Sequence, residues 1–210
     1  MDAGCGTGEL AYEIARAGAH EVIGIDYSRE AIAVAGKTYS HPNLRYRCDD
    51  LSGVQEKFDV IVSLGTLEHL DDPFVALKNL KSKLKPRGSL IITCPNWTNP
   101  RGYILLALKF LFNAPITRAD LHYLTPVEFE SWARHLRMKL SWRTVEQEWG
   151  HGEKMLLDFS RRLPKIFHDM RANVSEKKIG EFIKWLRIYA VPLEKDTNHG
   201  GAVALYHLKK

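Results

Sequence analysis

Cysteine is scarce in this chain: 210 residues contain three, Cys5, Cys48 and Cys94. An odd number at these spacings matches no disulfide framework, zinc site or redox pair, so no metal centre is expected and a reducing compartment suits the chain. Long apolar runs are missing as well. The longest, Tyr103 to Phe112, is interrupted by Lys109 and is far too short to span a bilayer. No stretch resembles a signal peptide, and a soluble, cytoplasmic protein is the expectation. There are no internal repeats and no low-complexity segments. An acidic excess is also absent: 30 Lys and Arg face 25 Asp and Glu, a net charge of +5. That balance permits an anionic substrate or a membrane surface, although a plainly solvated surface has the same composition.

What is present is concentrated at the start, in MDAGCGTG. Asp2 is followed by Gly4, Gly6 and Gly8, and a helical pattern with Leu10, Ala11, Ile14 and Ala15 on one face opens directly behind them. Glycines at that spacing let a ligand lie against bare backbone at a helix N-terminus. Gly18 closes the helix, and an apolar strand from Val22 to Ile25 ends in Asp26. An acid at the tip of the second strand, about 20 residues past the glycines, is placed to accept the hydroxyls of a ribose. A ribose-bearing cofactor follows, of open identity. The third glycine of the dinucleotide fingerprint is missing, since Glu9 follows Gly8, and this counts against NAD.

Farther on, Ser28 is placed to cap a helix over Arg29 to Thr38, and His41-Pro42-Asn43 turns into a strand alternating Leu44, Tyr46 and Cys48 that ends in Asp49-Asp50. Phe58 to Leu64 is a continuous apolar strand, as expected when helices cover both sheet faces. Its carboxyl end leads into Gly65, Thr66, Leu67, Glu68 and His69, and ligands of open α/β sheets bind beyond such ends. Asp72-Pro73 caps a helix striped by Phe74, Leu77, Leu80 and Leu84, and Pro86-Arg87-Gly88 is read as a turn into a strand from Leu90 to Cys94.

Five segments in this order, DAGCGTG at 2–8, GIDYS at 24–28, FDVIVS at 58–63, LEHLDDP at 67–73 and LKPRGSLII at 84–92, resemble the class I S-adenosylmethionine-dependent methyltransferases. LHYLTPVEF at 121–129 follows the pattern more loosely, and the likeness fades in the C-terminal third. The branch most similar is that of small-molecule methyltransferases, including the ubiquinone-pathway type. The resemblance implies a Rossmann-like, doubly wound α/β fold whose seven-stranded sheet has an antiparallel last strand. It implies S-adenosyl-L-methionine as cofactor. Asp2, Gly4, Cys5, Gly6, Thr7 and Gly8 would hold its methionine end, Asp26 with Tyr27 the ribose, and Asp50, or alternatively Asp49, the adenine amino group. Ser63 to His69, with Leu64 and Gly65 among the cofactor contacts, would flank the sulfonium. An Asx turn at a strand end is the competing account of Asp49-Asp50.

Against that pattern the first strand is nearly absent, because only Met1 stands before Asp2. Unpaired ladder groups would cost ~1–3 kcal/mol each, so the natural protein is expected to begin upstream. One methyltransferase domain is expected over 1–210, with residues 1–95 as the cofactor-binding half, a lid-like insertion over 96–125 and a helical basic insertion over 149–200. The lid carries an oily helix over 103–112, which would be buried, cover an apolar acceptor, or dip into a membrane face. Thr125-Pro126 with Glu128 is a capping box, followed by strands from Leu140 to Glu148 and from Ala202 to Leu208. Between the strands run the stripes Met155, Phe159, Leu163, Phe167, Met170 and Ile179, Phe182, Ile183, Leu186, Tyr189, read as helices with a break near Pro164. From His151 to Lys195 there are 10 Lys/Arg and 6 Asp/Glu, which accounts for +4 of the net charge.

Methyl transfer needs alignment and, for a hydroxyl acceptor, a base. His69 and His122 are the base candidates, because a histidine titrates near neutrality; Glu68, Tyr123 and Trp97 are the acceptor-contact candidates. The expected acceptor is a small molecule, apolar or anionic, methylated at oxygen. Nucleic acid is not expected, since no reading motif and no N/D-P-P-Y/F tetrapeptide is present. An inactive cofactor-binding module and an NAD-dependent oxidoreductase are the rival readings. Oligomeric state is open.

Overall fold

The computed structural model describes residues 1–117, 119–193 and 198–210, with the side chain of 193 outside the description. Seven strands form one sheet in the order β3-β2-β1-β4-β5-β7-β6. They are β1 (Asp2–Ala3), β2 (Val22–Asp26), β3 (Leu44–Cys48), β4 (Phe58–Leu64), β5 (Leu84–Pro95), β6 (Lys139–Val145) and β7 (Val203–Lys209). The β1–β2, β1–β4, β2–β3 and β4–β5 pairs are parallel. β7 runs against β5, because the Asn96 N–H donates to the Ala202 carbonyl and the Lys210 N–H to the Gly88 carbonyl. This is the Rossmann-like order with an antiparallel last strand. The first strand is as short as the sequence indicates: Asp2 pairs with Gly24 on one side and Val62 on the other.

By contacts the chain forms two compact units. The first comprises Met1–Cys94, Pro126–Ser141 and Tyr206–Lys210; the second comprises Pro95–Thr125 and Trp142–Leu205. In the first, α1 (Glu9–Arg16) lays Ala11 and Ala15 on Val22, and small residues there let helix and strand approach closely. α2 (Arg29–Thr38) starts where Ser28 accepts the Ala31 N–H, and α3 (Pro73–Ser82) where Asp72 accepts the Val75 N–H, the caps that the sequence indicates. Leu77, Leu80, Leu90 and Ile92 are fully buried. The Phe129 ring of the helix over Pro126–His135 stacks on Tyr206 with centroids 3.7 Å apart.

The second unit is helical. α4 (Pro100–Phe112) begins three residues before the oily run, because Asn99 accepts the Gly102 N–H at 2.7 Å and Pro100 fills the first helical position. After α5 (Pro126–His135) of the first unit come the short α6 (Gln147–Gly150), α7 (Gly152–Asp169) and α8 (Glu176–Trp185). Leu105, Met155, Phe159, Leu163, Ile166, Ile179 and Leu186 share one buried core.

Two expectations are corrected. The helix expected to break near Pro164 runs through it as α7. A mid-helix proline costs about 3 kcal/mol, and Phe159, Leu163 and Ile166, all buried around it, offset that loss by packing. The Pro86-Arg87-Gly88 turn lies inside β5, with Arg87 at φ 64° and a register shift opposite Phe58 to Val60. That is a bulge, which a turn-like tripeptide resembles in sequence because both need one left-handed residue.

Candidate functional site

The glycine turn of the first unit is built by backbone. The Gly4 and Cys5 N–H groups both donate to the Ile25 carbonyl, at 2.8 and 2.9 Å. Gly8 caps α1 at φ 87°, and a Cβ there would lie 2.6 Å from the Tyr46 hydroxyl and 2.8 Å from Ala35; no other residue fits. The Tyr46 hydroxyl donates to the Gly8 carbonyl at 3.1 Å. Gly6 differs. It is also left-handed, at φ 51°, yet nothing lies within 4 Å of where its Cβ would be, so the turn presents bare, open backbone at that point.

Asp2 lies at the base of this turn, 1% exposed. Its Oδ2 has no hydrogen-bond partner among the described residues. Burial pushes the Asp2 carboxyl up to about 6, against the opposing charge of the Met1 amino group and a hydrogen bond from the Ala11 N–H. An orphaned buried carboxylate beside an open glycine fits a ligand that brings its own cation, such as an α-ammonium group. Cys5 is buried, and burial together with the charges of Asp2 and Asp26 pushes its thiol up to about 12. It is therefore a packing residue and no nucleophile at neutral pH. Thr7 is exposed on the turn.

At the tip of β2, Asp26 ties the turn to the next helix: its Oδ2 accepts the Gly6 N–H at 2.8 Å and its Oδ1 the Ser28 N–H at 2.9 Å. Each carboxylate oxygen keeps a second lone pair for a hydroxyl. Tyr27 beside it is 83% exposed. Past β3, Asp50 accepts the Ser52 N–H at 2.7 Å and caps the short turn Leu51–Gly53, which is the Asx arrangement; the Ser52 side chain and then its N–H hold the Asp50 carboxyl below the usual range. Asp49 instead pairs with Arg47 at 3.3 Å.

At the end of β4, Ser63 is fully buried and its hydroxyl donates to the Ala3 carbonyl at 2.9 Å, which fastens the two-residue β1 to its neighbour. Leu64 is partly exposed, and the Gly65 N–H donates to the Thr93 carbonyl at 3.0 Å. Glu68 is 3% exposed, whereas His69 next to it is exposed. The structure thus gathers Asp2 to Gly8, Asp26 and Tyr27, Asp49 and Asp50, and Leu64 to His69 within the first unit. Trp97, His122 and Tyr123 belong to the second, where the Trp97 and Tyr123 rings meet edge to face at 5.1 Å.

Tyr46 and Ser63 escape the sequence reading as supports of the turn. A signal for Tyr46 does exist: its register partner on β2 is Gly24, where a Cβ would lie 2.8 Å from the Tyr46 ring. A glycine inside a strand marks such a close approach.

Residues 1–92 match the family described as a methyltransferase domain. The ubiquinone biosynthesis O-methyltransferase of Coxiella burnetii is 31% identical over 150 residues, covering 67% of this chain and 63% of its own length. The protein of the same name from Alkalilimnicola ehrlichii is 33% identical over 150 residues, 67% of this chain and 60% of its own. The chain therefore spans less than two thirds of these relatives. Among solved structures, the magnesium protoporphyrin IX methyltransferase of Synechocystis PCC 6803 aligns over 67% of this chain and 64% of its own, with TM-score 0.55 and 25% identity. The plantazolicin methyltransferase BpumL aligns over 100% of this chain and 74% of its own, with TM-score 0.58 and 19% identity. The [4+2]-cyclase SpnF aligns over 100% and 73%, with TM-score 0.62 and 20% identity; these two likenesses speak to the fold. The sheet order, the glycine turn with its acid and the family match define a Rossmann-like methyltransferase domain. The chain belongs to the class I S-adenosylmethionine-dependent methyltransferases.

Proposed function

We propose that the chain transfers a methyl group from S-adenosylmethionine to a small-molecule acceptor, at oxygen, as the ubiquinone-type relatives are named for doing. The observation that carries this reading is the orphaned, buried Asp2 carboxylate beneath an open glycine turn. Asp2 and Gly4 to Gly8 hold the methionine end of the cofactor, Asp26 and Tyr27 its ribose, and Asp49 or Asp50 its adenine; Leu64 and Gly65 flank the reacting end. The cofactor supplies a methyl group already activated by a positive sulfur. What the protein adds is alignment and a base. His69, exposed beside the buried Glu68 at the carboxyl end of β4, takes the hydroxyl proton, and His122 is the second candidate. Glu68 is the acceptor-contact candidate of the first unit.

The acceptor has an apolar or anionic part. The exposed Phe110, Leu111 and Phe112 at the end of α4 are apolar side chains of the kind that support a peripheral membrane contact. Among the described residues no helix is long and apolar enough to cross a membrane. The cytoplasm is the proposed location.

The rival readings are not favoured: an oxidoreductase would need the third glycine, and an inactive module would have no need to keep a buried charge without a partner. Calorimetry with S-adenosylhomocysteine and NAD tests the cofactor, with saturable binding of the first and none of the second expected; the reverse would overturn the assignment. Turnover on a panel of phenolic acceptors then tests the reaction, and His69→Ala is expected to lower kcat at least a hundredfold. Full turnover in that variant would remove His69 as base.

A further inference from the structure

Helix α7 carries Arg161, Lys165 and His168 at intervals of four and three residues, which sets them on one side of the helix. They border a groove of about 980 Å³ formed wholly within the second unit. Ile116 and Thr117, from the segment after α4, and Val174 and Ile179, from the approach to α8 and its first turns, line it as well. The volume lies at the upper end of the range of small-molecule sites, and none of the residues assigned to the cofactor takes part.

The charges of the groove are unevenly committed. Asp158 receives Arg101 at 2.8 Å and Arg162 at 3.1 Å, and Arg162 also donates to the Ile116 carbonyl at 2.8 Å; both guanidinium groups are occupied. Asp169 lies 3.3 Å from the His168 ring, and Glu176 occupies the first turn of α8, where the helix dipole favours an acid. Arg161 and Lys165 stand apart from these. They are exposed, one helical turn apart, and no ion pair joins either to a carboxylate among the described residues. Like charges at that spacing repel each other, and an anion between them would reverse the sign of the interaction. The buried Ile116 and Ile179 are among the apolar residues that line the groove beside them.

We propose that this groove binds a small amphipathic anion, whose carboxylate or phosphate meets Arg161 and Lys165 and whose apolar body lies along Ile116, Val174 and Ile179. The site is independent of the methyl-transfer reading, since no residue of the glycine turn enters it. Calorimetric titration with octyl phosphate and octanoate, beside inorganic phosphate and octyltrimethylammonium, tests it on the full chain. One saturable site for octyl phosphate or octanoate is expected, with inorganic phosphate at least tenfold weaker and no binding of the cation. The doubly substituted R161Q/K165Q protein, altered only at exposed positions, is expected to lose at least tenfold in affinity while its melting temperature is kept. Asp2→Asn is expected to bind the probes unchanged.

No saturable binding of either anion, equal binding by R161Q/K165Q, or equal binding of the cation would overturn the proposal. Loss of probe binding in Asp2→Asn would do so too, by moving the site to the glycine turn. Sedimentation with phosphatidylglycerol vesicles tells a lipid surface from a monomeric ligand: vesicle binding that needs Arg161 and Lys165, without binding of monomeric octyl phosphate, would also overturn it.

Discussion

The two units treat buried charge in opposite ways. In the second, the Asp158 carboxylate is drawn inward and two arginines meet it, with Asp158 and Arg101 side chains each 14% exposed. In the first, Asp2 is more deeply buried and one of its oxygens meets nothing. Burial alone would raise both carboxyl groups. At Asp158 burial is outweighed by the hydrogen bonds of Arg162 and Arg101, which hold the group below the usual range; at Asp2 burial prevails. A completed charge network fixes a structure, whereas an incomplete one is a place where a ligand can finish the job.

The strongest way to break this contrast is to uncouple the completed network. Asp158→Ala leaves Arg101 and Arg162 in a half-buried place without their carboxylate, and removal of one partner of such a set is costly. A loss of about 3 kcal/mol is expected, read as a lower denaturant midpoint at unchanged slope. Because the Asp158 pKa lies below its unfolded value, its contribution is present above about pH 4 and lost as pH falls through the folded pKa. The variant and parent should therefore converge in acid; a constant difference down to low pH would show that packing, not charge, holds the network.

Asp2→Asn should act with the opposite sign. A carboxyl raised from about 4 to about 6 gives stability that is fully present below the unfolded pKa and is lost as pH rises through the folded one. Asparagine removes that penalty while keeping an oxygen for the Ala11 N–H. A gain of about 2 kcal/mol for the ligand-free protein at pH 7.5, shrinking to nothing near pH 4, is expected. In the same protein S-adenosylhomocysteine should bind at least tenfold more weakly. In the parent its affinity should decline below about pH 6, as Asp2 takes up a proton. A stabler variant that still binds fully would end the role of Asp2 as the ammonium partner.

How the two regions appear in the sequence follows from the same physics. Arg29–Thr38 and Phe58–Leu64 are legible to the residue, since caps and apolar runs are local signals. The glycine turn is legible because its chemistry lies in consecutive residues. Tyr46 under Gly8 and Ser63 behind Ala3 are not, because each acts across the sheet, where only register brings the partners together. Asp50 is readable only as a pair of alternatives, since a cap and a ligand contact use the same residue type at the same place. In the second unit Pro164 misleads: the rule that proline ends a helix is local, and the packing that overrides it, around Phe159, Leu163 and Ile166, is not.

The smallest effect sharpens the contrast from its other side. Arg187 donates twice to Glu153, at 3.0 Å from Nε and from Nη2, and so matches the Arg101–Asp158 pair in length. Its setting is different, with side chains 54% and 64% exposed. Water already solvates both groups, so the pair gains little and is screened by salt. Arg187→Ala is expected to leave the denaturant midpoint almost where it is in the parent, and indistinguishable from it in 1 M salt. If it cost as much as Asp158→Ala, distance rather than burial would govern the ion pairs of this unit. The unpartnered oxygen of Asp2 would then favour a cation no more than an exposed carboxylate does, because only burial sets the worth of its charge.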